Sequence, residues 1–150
     1  MRNITLSRAS INDCRDLWLW RNHPGVRKNF FDSEPISWQE HERWFNSKNK
    51  DGNIRIYIAA LGDDKIGVIR FETANGQIKV SVNLNPDFFN RGLGSKIIKI
   101  GTGKFIKDTN AKKPIIAEIK KDNIASKKAF TKAGYTLVRD KKDRAVYEKR

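Results

Sequence analysis

The sequence predicts a single α/β domain over residues 1–150, in which helices flank a mixed and mostly antiparallel central sheet. Three observations support this prediction. Short runs of alternating apolar and polar residues indicate strands, two stretches near the start have apolar residues at helical spacing, and the last 60 residues alternate helices with strands. A chain of 150 residues can bury one substantial core, and no repeat or linker divides it.

The first elements are predicted from their caps. After a first strand, "NITLSRA", Ser10 and Asp13 form a capping box for the helix "INDCRDLWLWRN". Ser37 and Glu40 form another for the helix "WQEHERWFNS". The segment between the two helices, "HPGVRKNFFDSEP", is predicted to be irregular because proline and glycine interrupt it.

The middle of the chain is predicted to be an antiparallel meander. Its strands are "IRIYIAAL", "IGVIRFETA" and "IKVSVNL", and the turns "GDDK" and "NGQ" join them. The helix "GSKIIKIGTGKFIKD", the buried strand "PIIAEI", the helix "NIASKKAFTKAG" and a hairpin of "YTLVRD" and "AVYEKR" follow. The predicted order is strand, two helices, three strands, helix, strand, helix and two strands.

Positive charge is concentrated in the later part of the chain. The formal net charge is +14, and residues 1–90 hold 13 basic and 11 acidic side chains, whereas residues 91–150 hold 18 and 6. This asymmetry favours an anionic partner for the later part, either nucleic acid or a phosphorylated small molecule. For most individual lysines, a solvated basic face is the simpler interpretation.

The single cysteine, Cys14, excludes an internal disulfide framework and a cysteine metal cluster, and no metal site is predicted. Cys14 lies on an apolar helical stripe, so a buried thiol is favoured over a nucleophile. The opening residues lack the apolar stretch of a signal peptide, and no run is long enough to span a bilayer. These features predict a cytoplasmic protein without a membrane partner.

A glycine loop, "NRGLGS", follows the predicted strand "VSVNLNP" and opens a helix. Free N–H groups at the start of a helix, together with the helix dipole, favour an anion. Gly92 and Gly94 permit a positive φ or a close approach, and Arg91 adds a guanidinium that binds phosphate. This pattern alone is more often a simple turn, so its meaning depends on the rest of the sequence.

Together with "DNIASKKAFTKAGY" downstream, this loop resembles the two signature regions of the GNAT acetyltransferase superfamily. Both glycines of the family's loop pattern, Gln/Arg-x-x-Gly-x-Gly/Ala, are present, but Phe89 stands at its first position. The second signature matches at Asn123, Ser126, Gly134 and Tyr135. Phe130 stands where a tyrosine is usual.

The resemblance implies a GNAT fold that binds acetyl-CoA as cosubstrate. The pyrophosphate would lie on the backbone of Arg91, Gly92, Leu93, Gly94 and Ser95. The pantetheine would run beside Val82 and Leu84, and the N–H of Leu84 would polarise the thioester carbonyl. Its far end would contact Asn123 and Ser126. A phenyl ring cannot protonate the leaving thiolate, so Phe130 is expected only to pack against the thioester.

Acetyl transfer requires a neutral amine, so a residue or water must accept a proton. His41 lies on an apolar helical face and is either a packed histidine or the base. Glu72 shares a strand face with Arg70 and is either the base or one half of a surface ion pair. Asn83 lies on a polar face of the next strand, which would look into the acceptor site.

The segments "WRNHPGVRKNFF" and "ISWQEHERWF" resemble the acceptor-binding region of a GNAT subgroup. Its members include ribosomal-protein and N-terminal acetyltransferases and enzymes that act on amino-sugar nucleotides. The sequence looks closest to the last group, of the type that acetylates a UDP-4-amino-sugar in pseudaminic acid synthesis. Arg21, Asn22 and Arg70 are the acceptor-binding candidates, and Arg21 and Arg27 would meet a diphosphate.

Six aromatic residues accompany these segments and either stack a sugar or a base or simply form core. They are Trp18, Trp20, Trp38, Trp44, Phe30 and Phe31.

The predicted function is acetyl-CoA-dependent N-acetylation of a nucleotide-linked amino sugar for surface glycan assembly. One alternative is acetylation of a protein N-terminus. Another is a basic nucleic-acid-binding module, suggested by a pI near 10.1. Against this last function, no nucleic-acid motif is present and the aromatic residues concentrate in the less basic part. A homodimer is compatible with the sequence.

Overall fold

A computed structural model of the protein describes residues 3–150, which form one seven-stranded sheet and five α-helices. The strands are β1 (Ile4–Arg8), β2 (Ile54–Leu61), β3 (Asp64–Ala74), β4 (Gln77–Leu84), β5 (Ile115–Lys120), β6 (Thr136–Asp140) and β7 (Arg144–Lys149). The helices are α1 (Cys14–Asn22), α2 (Pro24–Arg27), α3 (Trp38–Lys50), α4 (Leu93–Thr109) and α5 (Ile124–Lys132). Short 3₁₀ turns cover Ile11–Asp13 and Pro86–Phe88.

The sheet has the order β1-β2-β3-β4-β5-β7-β6. Its neighbouring strands are antiparallel except β4 and β5, which run parallel. The parallel pairing is short and joins only Ile78 with Ile115 and Lys79 with Ile116. Both strands continue beyond these pairs, to Leu84 and Lys120, so the sheet splays open between their carboxyl ends.

Alternation along the strands gives the sheet two apolar faces. In β2, Ile54, Ile56 and Ile58 belong to a core with residues of α1 and α3, whereas Tyr57 and Ala59 belong to a core with residues of α4. The helices therefore cover both faces of the sheet, and the predicted α/β fold class is confirmed. Within residues 3–150, no helix combines the length and the apolar character needed to cross a membrane.

Both predicted capping boxes lie at helix starts. The backbone N–H of Ser10 donates to Asp13 Oδ2 at 2.8 Å, and Ser37 Oγ accepts from the N–H of Glu40 at 3.2 Å. The prediction of an irregular segment after α1 is wrong at its beginning. There His23 Nδ1 accepts from the N–H of Gly25 at 3.0 Å, and a proline at the first helical position begins the short helix α2.

Candidate active site

The splay between β4 and β5 leaves backbone donors of β4 without a strand partner. The N–H of Asn85 donates to the carbonyl of Ile66 at 2.8 Å, which fixes the alternating hydrogen-bond pattern between β3 and β4. By this alternation, the N–H groups of Val82 and Leu84 point away from β3 and towards β5. Because β5 pairs with β4 no further than Lys79, these donors face the open splay. The predicted role of the Leu84 N–H is compatible with this position.

Gly67, whose role the sequence alone does not indicate, sets how closely β4 approaches β3 near Leu84. It lies opposite Leu84 in the β3–β4 pairing. A Cβ at this position would lie 2.9 Å from the backbone oxygen of Asn83 and 3.1 Å from Cδ1 of Ile97. Only glycine therefore lets β4 run this close to β3 and to the helix packed behind it.

Replacing Gly67 with alanine is expected to lower the free energy of unfolding by about 2 kcal/mol and activity by about 10-fold. The new methyl group meets a backbone oxygen, so β4 must move, and the Leu84 N–H moves with it. Gly101→Ala is the matched control, because its Cβ would be equally crowded but by side-chain atoms, 2.8 Å from Cδ1 and 3.0 Å from Cγ2 of Ile69, and not by the backbone of β4. Thermal unfolding and initial rates check the prediction, and equal losses of activity in both variants would contradict it.

The glycine loop begins α4 with a left-handed residue. Gly92 has φ +69°, and no side chain caps the helix. The first N–H groups of α4 are therefore not used by a capping side chain and can receive an anion. A Cβ at Gly94 would lie 3.5 Å from Ala129 Cβ, an ordinary contact. Of the two predicted glycines, the backbone thus demands only Gly92.

Arg91 is exposed beside this helix start, with its guanidinium carbon 4.9 Å from the centre of the Phe88 ring. We expect Arg91→Ala to raise the Kd for acetyl-CoA about 10-fold, because a charge-assisted bond to a phosphate oxygen is lost. Lys107→Ala, which removes the same charge from the last turn of α4, is the control. Calorimetric titration checks both variants, and unchanged affinity in Arg91→Ala would contradict the assignment.

A cavity of about 390 Å³ lies next to the splay. Its walls come from α1, the segment after α2, α3, the strands β2 to β5, and α5. Eight of the predicted site residues line it: Arg21, His41, Arg70, Val82, Asn83, Asn123, Ser126 and Phe130. The structure thus brings residues predicted for the donor and for the acceptor to one cavity.

Two guanidinium groups in this cavity flank one indole ring. The guanidinium carbon of Arg21 is 5.4 Å and that of Arg70 is 5.1 Å from the centre of the Trp44 ring. Among the described residues, neither arginine has a carboxylate within ion-pair distance. Burial lowers the pKa of both groups, which means that their charges lack full solvation. The pair is therefore a candidate anion site.

His41 is fully buried in the cavity wall. Its Nε2 lies 2.9 Å from the carbonyl oxygen of Cys14, so Nε2 carries the proton in the neutral ring. Nδ1 has no hydrogen-bond partner in residues 3–150. Burial lowers the pKa of His41, although the bond to Cys14 opposes this, and nearby Arg21 lowers it further. The ring is therefore neutral near pH 7, with the Nδ1 lone pair unused.

Three residues predicted for the acceptor site do not line the cavity. Glu72 is on β3 but forms an ion pair with Lys48 at 3.2 Å. Asn22 uses its whole amide on Ile36, donating to its carbonyl and accepting from its N–H, both at 2.9 Å. Arg27 donates to the carbonyl oxygen of Asn22 at 2.9 Å. The bonds of Asn22 and Arg27 hold the segment between α2 and α3.

The six predicted aromatic residues also fall into two groups, one in the protein interior and one in the cavity wall. Trp20 is buried in the core, and Trp18 packs edge-on against Trp38 while its Nε1 donates to Ile36. These three tryptophans are structural. The other three predicted aromatic residues, Trp44, Phe30 and Phe31, line the cavity wall.

The profile of the acetyltransferase (GNAT) domain family matches residues 3–136 of the chain. The chain belongs to the GNAT acetyltransferase family. It is therefore an N-acetyltransferase that uses acetyl-CoA, and the family, the enzyme class and the cosubstrate predicted from the sequence are confirmed. In the described part of the acetyltransferase, no group of three or more His, Cys, Asp or Glu side chains is placed to hold a metal ion.

Solved structures share the fold of the acetyltransferase at low sequence identity. The chain is similar to AAC(6′)-Ib in complex with ribostamycin and coenzyme A, with 18% identity, a TM-score of 0.82, and coverage of 97% of this chain and 92% of that one. For spermidine N-acetyltransferase from Vibrio cholerae, in complex with CoA and spermine, the identity is 16%, the TM-score 0.82 and the coverage 97% and 92%. For RimL, a ribosomal L7/L12 alpha-N-protein acetyltransferase in complex with CoA, the identity is 15% and the TM-score 0.81, with coverage of 97% of this chain and 93% of that one. No curated protein matches the chain significantly by sequence.

The residues of the acetyltransferase fit a CoA thioester. The α4 N-terminus suits the pyrophosphate, and the free N–H groups along β4 suit the amides and the carbonyl of an extended acyl-pantetheine chain. Asn123, Ser126 and Phe130 line the same cavity from α5. Asn123 also caps α5, because its Oδ1 accepts from the N–H of Ser126 at 3.2 Å.

Phe130 leaves this acetyltransferase without a phenol at the expected position. Phe130 is buried edge-on against Tyr135, with ring centres 5.0 Å apart. Tyr135 does not replace the missing acid, because its hydroxyl pairs with Thr102 Oγ1 at 2.8 Å. Burial also raises the pKa of Tyr135 to about 12.

Cys14 is buried, as predicted, and burial raises the pKa of its thiol, which makes it a poor nucleophile.

Proposed function

We propose that the protein acetylates a primary amine of a small molecule that also carries an anionic group, in particular a nucleotide-linked amino sugar. The observation that supports this most is the pair of arginines, Arg21 and Arg70, which face one cavity and have no carboxylate within ion-pair distance among residues 3–150. A diphosphate would neutralise both guanidiniums, and the planar fork of arginine matches phosphate oxygens.

Charge complementarity argues against a polycation as acceptor. Two unpaired arginines would repel a polyamine or an aminoglycoside, and repulsion of this kind selects against wrong partners. Of the described residues, two with carboxylates belong to the cavity wall, Asp32 and Glu118. Asp32 raises the pKa of Arg21 from beyond ion-pair distance, but burial has the larger effect. Glu118 does not offset the two arginines because it is already paired. Its oxygens lie 2.7 Å from Lys79 Nζ and 2.9 Å from an Arg144 nitrogen, and these partners hold its pKa below the usual range.

In the proposed reaction, the amine nitrogen forms a bond to the acetyl carbon and the carbon–sulfur bond breaks. CoA leaves as a thiolate, and the nitrogen loses one proton. The N–H of Leu84 stabilises the negative charge that develops on the carbonyl oxygen. We assign the proton to His41 Nδ1, because His41 lines the cavity and this buried atom has no hydrogen-bond partner within residues 3–150, whereas Glu72 lies outside the cavity wall in an ion pair.

The test is a rate comparison over four acceptor classes at saturating acetyl-CoA, with release of the CoA thiol as the signal. They are a UDP-linked 4-amino sugar, an amino sugar 1-phosphate, uncharged or cationic amines such as spermidine and kanamycin, and peptides with free N-termini. We expect kcat/KM to be highest for the UDP-linked sugar. Turnover of peptides alone would overturn the proposal in favour of N-terminal acetylation, and preference for the cationic amines would also overturn it.

A further inference from the structure

Phe31 is an exposed aromatic residue at the cavity. It lies in the segment between α2 and α3, and its side chain is 47% exposed although it also lines the cavity wall. The guanidinium carbon of Arg144 lies 4.0 Å from the centre of its ring. No second ring or cation lies over Phe31 in the part of the chain that the structure describes. One face of the ring is therefore covered by a cation, while about half of the side chain stays exposed to a ligand.

The cation under this ring is held in place. Arg144 donates from Nη1 to Glu118 Oε2 at 2.9 Å and from Nη2 to Asp143 Oδ2 at 3.0 Å. A guanidinium with two carboxylate partners keeps its plane, so it supports the Phe31 ring in one orientation.

The segment that carries Phe31 is anchored at both ends. Near its start, Lys120 Nζ donates to the carbonyl oxygen of Lys28 at 3.0 Å, and at its end Ile36 is bonded twice to Asn22. The ring is thus presented on a supported segment. Because the segment is already ordered, binding a flat ligand against the Phe31 ring costs less conformational entropy.

The other aromatic rings of the cavity wall are already engaged or buried. Trp44 is stacked with His41, their ring centres 5.7 Å apart, and both arginines of the anion site approach its ring. Phe30 lies under the guanidinium of Arg21 at 5.8 Å. Phe130 is buried. Among the described aromatic residues that line this wall, Phe31 is therefore the exposed ring that a ligand can stack on.

We propose that Phe31, backed by Arg144, is the stacking platform for the nucleobase of the acceptor. This inference rests on the proposed function, since it assigns the base of a nucleotide-linked amino sugar to the β5 side of the cavity. Arg70 would hold the diphosphate from the β3 side. Stacking of a base on an aromatic side chain tolerates any base, so it selects a nucleotide without fixing which one.

The experiment compares Phe31→Ala, Phe31→Leu and Phe31→Trp with the wild type on two acceptors, a UDP-linked amino sugar and the same amino sugar as its 1-phosphate. We expect Phe31→Ala to raise KM about 10-fold for the nucleotide-linked acceptor and to leave KM for the 1-phosphate unchanged. Phe31→Leu keeps apolar bulk without a π face, so it should resemble Phe31→Ala. Phe31→Trp should restore the wild-type value.

Equal effects of Phe31→Ala on both acceptors, or no effect on either, would overturn the inference. Inhibition by free UDP gives a second readout, since Phe31→Ala should weaken it by a similar factor. The failure of this inference is separable from that of the proposed function. If the wild type uses both acceptors but has the same KM for each, the anionic acceptor stands and the base platform fails. If neither anionic acceptor is used, the proposed function itself fails.

Discussion

Replacing Arg70 with methionine is expected to lower kcat/KM for a UDP-linked amino sugar about 300-fold, mainly through KM. Removing one partner of a buried charged contact costs about 2–5 kcal/mol, and 300-fold corresponds to about 3.4 kcal/mol. The stability of the folded protein should not decrease, because the charged form of Arg70 is unfavourable in it. Burial lowers the pKa of Arg70, an effect that Glu72 partly offsets, and Arg21 lowers this pKa further. A methionine removes an unfavourably solvated cation at similar length, so Tm should stay constant or rise.

Two controls make this prediction specific. Arg70→Lys keeps the charge but loses the forked geometry, and we expect an intermediate loss of about 10-fold. Arg27→Met removes a guanidinium that bonds to the backbone oxygens of Asn22 and Ser33, so it should lower Tm and weaken acceptor binding less. Steady-state rates and thermal unfolding are the measurements. A fall in Tm together with unchanged kcat/KM in Arg70→Met would show that Arg70 is only structural.

His41→Gln is expected to lower kcat about 100-fold with little change in KM, because a general base contributes on this scale. Glutamine can still donate a hydrogen bond to the carbonyl of Cys14, so the fold should be kept, but it has no basic nitrogen. Burial places the pKa of His41 below 6.5, and the wild-type kcat should therefore fall only as the pH drops below that value. This acid limb should be absent in the variant.

Stability gives an independent readout of the same pKa. Since folding lowers the pKa of His41, the unfolded chain binds a proton more readily below about pH 6.5, and the free energy of unfolding of the wild type should fall there. The slope for one group cannot exceed about 1.4 kcal/mol per pH unit, and His41→Gln should flatten it. If kcat and the acid limb are unchanged in His41→Gln, the proton acceptor lies elsewhere.

The sequence allowed most of the fold to be predicted because its signals are local. Caps such as Ser37 with Glu40, hairpin turns and apolar alternation each act over a few residues, and they gave the element order apart from α2. The missed helix depends on a cap made by His23, a residue that sequence rules do not rank as a helix cap.

The site was less predictable, because it depends on which side chains tertiary contacts have already used. Sequence patterning puts Arg70 and Glu72 on one strand face, but only the fold shows that the two side chains have different surroundings. Arg70 enters the cavity, and Glu72 pairs with Lys48 from α3. Gly67 was missed for a similar reason. A single glycine in a strand does not reveal that a carbonyl from the neighbouring strand lies within 3 Å of its missing Cβ.

The two-pair ladder between β4 and β5 divides the sheet into a four-stranded half and a three-stranded half. Few backbone hydrogen bonds join β4 to β5 along this seam. Its rigidity therefore depends on the helices packed behind the two strands and on any molecule bound between them. A pantetheine chain that bonds to the free β4 amides would act as an additional strand. Each catalytic cycle would then remove and restore part of the secondary structure of the enzyme, which couples product release to local loosening at the seam.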